Sequence, residues 1–487
     1  MNFLRFGLLA ACGLLLASCT VGPKYAKPSV PSTPAYKEAP PDSFKETKNW
    51  KQAHPSDATL RAKWWEIFGD PQLNALEEQI DVSNQTLKIY AARFREARAA
   101  IRFNRASEFP TISTAPGISS LRSSAHRPNF PAGAAPGSTG DFVLPFDLSY
   151  EVDLWGRVRR TVTAAKEEAQ ATDADLETAS LSLHAELALD YFELRSADAQ
   201  QKLLNDTVAT YTRALELTTN RYQGGVAPKS DVAQAQTQLD STRVQATDTG
   251  VQRAQFEHAI AILIGKPPAQ FGVAPQALKV EPPAIPVGLP SQLLERRPDI
   301  ASAERRVAEA NEQIGIAQAA FYPTVVISAT GGFEGNSILN WFNWPSRFWA
   351  VGPSMLQTLF DAGRRRAASE ETLANYDANV ANYRQTTLTA FQQVEDSLAA
   401  LRILEHEAQQ QKDATSSAQE TLQLFTNRYK GGVDTYLQVV TAQTTALTNE
   451  RNDVDILRRR MDASVLLIKA IGGGWNVATL PSLNALR

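Results

Sequence analysis

Thiol, thioether and imidazole are all scarce in this chain of 487 residues, which has two cysteines, three methionines and five histidines. Two thiols can build neither a zinc site nor a disulfide framework for a fold of this size. The histidines (His54, His126, His184, His258, His406) are scattered, with no His-x-x-x-His spacing. A helical histidine such as His184 or His406 reads as a helix-face residue, not a ligand. No acid–base, nucleophile or metal cluster can be named, so an enzyme is the least supported class and no cofactor is expected. Beyond Met1 only Met355 and Met461 are present, too few for a thioether path for soft copper or silver ions. A dominant charge sign is missing as well. The 49 basic and 52 acidic residues leave a net charge of −3, and no basic stripe with interleaved aromatics points to nucleic acid.

The N-terminus supplies an address. Arg5 precedes an apolar run from Phe6 to Leu16, too short to span a membrane as a helix but suited to a signal peptide over residues 1–18. Leu16-Ala17-Ser18-Cys19 resembles a bacterial lipoprotein box, so Cys19 is expected to carry a covalent lipid. Thr20, not Asp, follows it, and the resemblance to bacterial lipoproteins then implies sorting to the outer membrane. Residues 19–58, rich in Pro and Lys, read as an extended lipidated tether.

The rest of the chain is written twice. Thr219-Asn220-Arg221-Tyr222-Gln223-Gly224-Gly225-Val226 recurs 207 positions later as Thr426-Asn427-Arg428-Tyr429-Lys430-Gly431-Gly432-Val433. The same offset carries Gly156-Arg157 onto Gly363-Arg364. An offset of 213 carries Arg93, Glu96 and Pro110 onto Arg306, Glu309 and Pro323. The repeats are assigned to residues 59–264 and 299–471, with a linker over 265–298 and a tail over 472–487.

Each repeat opens with a helical pattern, then changes period. Phe142, Leu144, Phe146, Leu148, Tyr150 and Val152 alternate with Val143, Pro145, Asp147, Ser149 and Glu151, the signature of a strand with one greasy and one polar face. Thr111 to Ser120 pairs with it more weakly. In the second repeat Thr324 to Thr330 alternates likewise, and Trp349, Val351 and Met355 alternate with Ala350, Gly352 and Ser354. These readings place β-hairpins at 109–154 and 322–360. Four such strands of about ten residues have the length and dyad pattern of transmembrane β-strands.

Long helical hairpins follow at 156–264 and 363–471. The runs Gly156 to Arg221 and Gly363 to Arg428 contain no proline and would each reach roughly 100 Å if straight. Each turns at Gly-Gly, where consecutive glycines can supply left-handed conformations. Asp231 follows the first turn, where a carboxylate suits a helix N-terminus. Ala, Thr, Ser and Gln dominate these hairpins, which suits a wall with water on one face rather than a thick private core.

Membrane strands must close into a barrel, and four cannot close alone. Two copies would give eight strands packed shut, whereas three give twelve and a wet lumen. Asp147, Ser149, Glu151, Asp153 and Ser354 suit such a lumen. The expectation is mainly α with a membrane β part: a trimeric twelve-stranded barrel continued by a helical barrel. Arg157, Arg159, Arg364, Arg365 and Arg366 open their helices, where the dipole disfavours cations. They are expected at the inner leaflet, reaching lipid phosphates as membrane-interface anchors. Trp155 and Phe360 fit one aromatic girdle; Phe333, Trp341, Trp344 and Trp349 fit the other.

Several stretches resemble the TolC/OprM-like outer-membrane factors, specifically the NodT-type efflux lipoproteins. They are Cys19-Thr20-Val21-Gly22-Pro23-Lys24-Tyr25, Trp64-Trp65-Glu66-Ile67-Phe68-Gly69-Asp70-Pro71, Leu293-Leu294-Glu295-Arg296-Arg297-Pro298-Asp299-Ile300, Phe360-Asp361-Ala362-Gly363-Arg364-Arg365 and both Arg-Tyr-x-Gly-Gly-Val turns. The resemblance covers essentially the whole mature chain. It implies a homotrimer in the outer membrane, a helical barrel crossing the periplasm and an equatorial belt. It also implies a tip that meets a periplasmic adaptor coupled to an inner-membrane pump of the RND type. By the same resemblance Arg221, Tyr222, Gly224, Gly225, Asp231, Arg428, Tyr429, Gly431, Gly432 and Asp434 form the tip, dock the adaptor and border the gate. Tyr429 matches a gate tyrosine of TolC. The gate arginine position holds Asp434, and the two acidic-ring positions hold Gln438 and Thr441, so a TolC-style charge latch is not expected. A passive export duct for small toxic compounds leads. A type I protein-secretion duct and a non-conducting envelope-spanning lipoprotein stand beside it.

Overall fold

The computed structural model describes residues 20–30, 33–41, 63–122, 124, 126, 128, 137–278, 281–285 and 290–486. The signal segment and Cys19 lie outside them. Two long helices dominate: α3 (Arg157–Gln223) and α6 (Arg364–Lys430), each of 67 residues. Each turns into a 35-residue return, α4 (Lys229–Leu263) and α7 (Tyr436–Ala470). Shorter helices precede the sheet in each repeat: α1 (Pro71–Ser83) and α2 (Gln85–Arg105) in the first, α5 (Pro298–Ala319) in the second. Among the described residues no helix is long and apolar enough to cross a membrane.

The strands are β1 (Thr111–Ser113), β2 (Gly117–Arg122), β3 (Ser138–Val152), β4 (Thr324–Gly335) and β5 (Arg347–Leu356), all antiparallel to their partners. β1 and β2 are one strand line broken in the middle. Ser113 pairs with Asp147 and Gly117 with Val143, so the register passes the gap unshifted. The gap holds Pro116 and faces Pro145, and proline cannot donate to a ladder. Thr114 bridges it, its hydroxyl donating to the Pro145 carbonyl at 2.6 Å. The sheet thus has four strand lines in the order β1/β2, β3, β4, β5.

Register sorts the side chains onto two faces. Leu144 pairs with Phe333, Tyr150 with Ile327, and Val351 with Ala329 on one face; Asp147 pairs with Thr330 and Ser149 with Ser328 on the other. Ile112, Ile118, Phe146, Trp349, Val351 and Met355 on the first face are all exposed.

Hydrophobic burial concentrates midway along the hairpins. Trp64, Trp65, Phe68, Leu73 and Ile80 pack with Leu187, Tyr191 and Phe192 of α3, Val394 and Leu398 of α6, and Val465 and Ile468 of α7. Val273, Ile285 and Leu293 from the linker join this core. His184, read from sequence as a helix-face residue, is buried there. Its Nδ1 lies 2.8 Å from Glu77 and its Nε2 3.2 Å from Asp81, with Trp65 stacked on the ring. Burial works against the imidazolium, but the Asp81 and Glu77 hydrogen bonds prevail and raise it to about 9. Burial likewise pushes the Glu77 carboxyl up to about 7, against His184.

The segment expected as an extended tether is docked on the helices where it is described. Val21 donates to Trp155 O, Arg160 to Pro23 O and Arg384 to Ser29 O. Tyr25 binds Glu304, and the Lys37 and Glu38 amides donate to the Glu395 carboxylate. Tyr25 and Val30 pack over the α5/α6 seam against Ile300, Val307 and Tyr383. Backbones approach so closely that a Cβ on Gly22 would lie 2.6 Å from Gly315 Cα. At the equivalent seam of the first repeat, between α2 and α3, Leu486 from the tail packs against Ile101 and Ala169.

Candidate functional site

Two places gather the residues singled out in the sequence: the turns at the tip and the junction between sheet and helices. Each tip turn is a Schellman closure. Val226 N–H donates to Arg221 O and Gly225 N–H to Tyr222 O; Val433 and Gly432 do the same to Arg428 and Tyr429. Only the second glycine of each pair is left-handed, Gly225 at φ 71° and Gly432 at φ 75°. Gly224 and Gly431, expected to share that role, have φ −77° and −74°, values open to any residue.

The identical turns are not used identically. Tyr429 is 4 % exposed and packs edge-on against Tyr436, whereas its counterpart Tyr222 is 43 % exposed. Residues of both repeats surround Tyr429. The Arg221 guanidinium sits 4.7 Å from its ring centroid and donates to Lys430 O at 3.0 Å. The phenol donates to Asp231 at 3.4 Å. Burial and the Asp231 charge hold the Tyr429 hydroxyl above its usual pKa, with Arg221 opposing. Arg428, in contrast, turns to Asp434 in its own repeat. The tip is therefore a cross-repeat clasp of Arg221, Asp231 and Tyr429, with a separate Arg428–Asp434 pair. Tyr436 completes the clasp and was missed in the sequence, where a lone aromatic at the start of a helix carries no signal.

At the junction, carboxylates resolve the conflict between arginines and helix dipoles. Asp153 accepts from the Val158 and Arg159 amides at 3.1 and 2.9 Å and pairs with the Arg159 side chain. Asp361 accepts from Gly363 and Arg365 in the same way and pairs with Arg365. Glu151 holds Arg157 through two contacts, 2.9 and 2.6 Å, and Arg366 pairs with Glu370. Four of the five arginines expected to reach lipid phosphates are thus engaged within the chain. Of the residues expected in the lumen, Asp147, Ser149, Glu151 and Ser354 share the polar face of the sheet. Glu151 is already paired there, and Asp153 lies beyond the end of β3 as a helix cap. An Asp three residues before the glycine that opens the helix was the readable sign of the first cap.

A four-line sheet with an exposed greasy face, set on two very long helical hairpins, is the architecture of an outer-membrane channel. The chain belongs to the outer membrane efflux protein family, whose model matches residues 76–266 and 289–473. It is 31% identical over 476 residues to the probable efflux pump outer membrane protein SepC of Pseudomonas putida, spanning 97% of this chain and 98% of that one. It is 31% identical over 483 residues to the pyoverdine export outer membrane protein OpmQ of Pseudomonas aeruginosa, spanning 98% of each. Among solved structures, the outer-membrane channel OprN superposes with a TM-score of 0.85 at 28% identity, over 94% of this chain and all of that one. The sequence reading as an outer-membrane efflux channel holds.

Proposed function

We propose that three copies of this chain form the outer-membrane duct of a tripartite efflux system, passive in itself and driven by an inner-membrane pump of the RND type through a periplasmic adaptor. The observation that carries the reading is the sheet. Its apolar face is exposed, its polar face bears Asp147, Ser149 and Ser328, and the outer edges of β1/β2 and β5 have no ladder partner among the described residues. In lipid such edges must be paired, and three sheets of four lines make a twelve-stranded ring wide enough for water. The helices continue that ring into the periplasm, where the clasp of Arg221, Asp231 and Tyr429 and the Arg428–Asp434 pair hold the tip narrow. The turns around Tyr222, Gly224, Gly225, Gly431 and Gly432 offer the adaptor its docking surface. Cys19 carries the lipid: Thr20, its neighbour, lies against Gly156 at the sheet-to-helix junction, the level of the inner leaflet. Export of small toxic compounds fits the efflux relatives.

Negative-stain imaging of the detergent-extracted protein, with its mass in solution, tests this reading. Three-fold rods of roughly 130 Å or more are expected. A monodisperse monomer, or trimers that conduct no ions in a planar bilayer when the tip is released, would sink it.

A further inference from the structure

The connection from β4 to β5 is unusually greasy for a loop at the far end of the sheet from the helices. It reads Asn336-Ser337-Ile338-Leu339-Asn340-Trp341-Phe342-Asn343-Trp344-Pro345-Ser346. Ile338, Leu339, Phe342 and Trp344 are 66%, 86%, 60% and 75% exposed. An exposed group of that size marks an interaction surface.

Two glycines fix which way the loop leans. Gly335 pairs with Phe142, so a Cβ there would point to the apolar face, and it would lie 3.1 Å from Trp341 Cα. Gly140 precedes Phe142 by two residues and shares its face; its Cβ would lie 2.7 Å from Asn336 O. The loop therefore folds back over the apolar face instead of crossing the polar one. Ring contacts agree. Trp341 packs on Phe142 and Phe342 on Phe333, each with centroids 5.7 Å apart, and both partners belong to the apolar face. Asn336, Asn340 and Asn343 line a polar cleft of about 770 Å³ with Asp141 and Glu334. The loop is two-faced, its amides gathered on that cleft and its apolar side chains outward.

We propose that loop 336–346 is an outer-leaflet anchor. Ile338, Leu339, Phe342 and Trp344 seat at the boundary between headgroups and acyl chains, and the polar mouth of the sheet stays uncovered. The proposal rests on the reading of the sheet as membrane-spanning. Lipid is the occupant because the loop packs on Phe142 and Phe333 of the apolar face, and the cation on that border, Arg347 opposite Phe333, lies over the Trp344 ring and donates to Trp344 O, at the depth where headgroups meet acyl chains. Tryptophan, apolar with one donor, suits that depth.

The test uses the full chain in phosphatidylcholine vesicles, with a polarity-sensitive fluorophore on Leu339→Cys and, separately, on Val351→Cys in the middle of β5. Unsubstituted protein controls for labelling elsewhere. Nitroxide lipids labelled near the headgroup or deep in the acyl chain report depth. We expect the Leu339 probe to be quenched several-fold more by the shallow nitroxide and the Val351 probe by the deep one. A Leu339 probe with water-like emission beside a quenched Val351 probe would overturn the anchor and leave the membrane sheet standing. If neither probe is quenched, the membrane sheet fails and the anchor with it. A Leu339 probe shielded from water yet untouched by either nitroxide is covered by protein, which also overturns the proposal.

Discussion

Removing Arg221 tests the tip clasp most directly. In Arg221→Ala, Tyr429 loses the cation over its ring and Lys430 O loses its donor. A cation–π contact contributes about 0.5–2 kcal/mol and a hydrogen bond about 1 kcal/mol. Arg221 is partly exposed, so about 1 kcal/mol per protomer is a fair value after solvent screening. If the tip opens as one ring of three, the closed state loses about 3 kcal/mol, roughly a hundredfold in the opening equilibrium at 1.4 kcal/mol per tenfold. Single-channel recording in planar bilayers reads this as open probability, with trimer mass checked in parallel. Arg221→Lys keeps the charge but not the planar fork and should fall between. Tyr429→Phe keeps the ring and loses only the 3.4 Å contact to Asp231, so it should stay nearly closed. Intact Arg221→Ala trimers with unchanged open probability, or Tyr429→Phe trimers as open as Arg221→Ala, would refute the clasp.

The equatorial core should be pH-sensitive. The imidazolium of His184 is raised from 6.5 to about 9, so its stabilisation is complete below about 6.5 and lost as the pH rises through 9; Glu77, raised to about 7, acts in the same sense. The thermal midpoint should fall steadily from pH 5 to 10, and the slope should flatten in the Glu77→Gln/His184→Gln double variant. Gly22→Val places a side chain at φ 107° against Gly315, a conformation costing roughly 1–2 kcal/mol before any clash. Limited proteolysis should then cut between residues 20 and 41 faster than in the parent chain. Asp153→Ala removes the acceptor for two amides at the start of α3 and should lower unfolding stability by about 1 kcal/mol, whereas Asp153→Asn should recover most of it.

Local pattern carried the reading of the sheet and hairpins. Alternation from Phe142 to Val152 fixes a strand and its faces without knowledge of its partners, and a proline-free run of 67 residues between two glycine-marked ends is legible as one helix. Contacts between distant segments were not legible. Residues 20–30 and 33–41 have a composition without periodicity, and their placement comes from partners such as Glu304, 279 positions from Tyr25. The junction misled for a related reason. Five arginines at helix starts conflict with the dipole taken alone, and only the fold shows Asp153, Asp361, Glu151 and Glu370 reaching four of them. At the tip the repeat itself hid the difference, since Tyr222 and Tyr429 sit in nearly the same words but only one is clasped by the other repeat.

A duplicated chain has two copies of every seam but only one beginning and one end. Here the N-terminal segment seals α5/α6 in the second repeat, while Leu486 seals α2/α3 in the first. The two ends therefore cover different seams, although the N-terminal segment also touches Trp155 and Arg160 of the first repeat. Damage or a bulky fusion at the N-terminus would loosen the later repeat, and the same insult at the C-terminus would loosen the earlier one. In a ring of three such chains the weakened seams would alternate with sound ones, so the wall would lose its near six-fold evenness long before it lost its three-fold form.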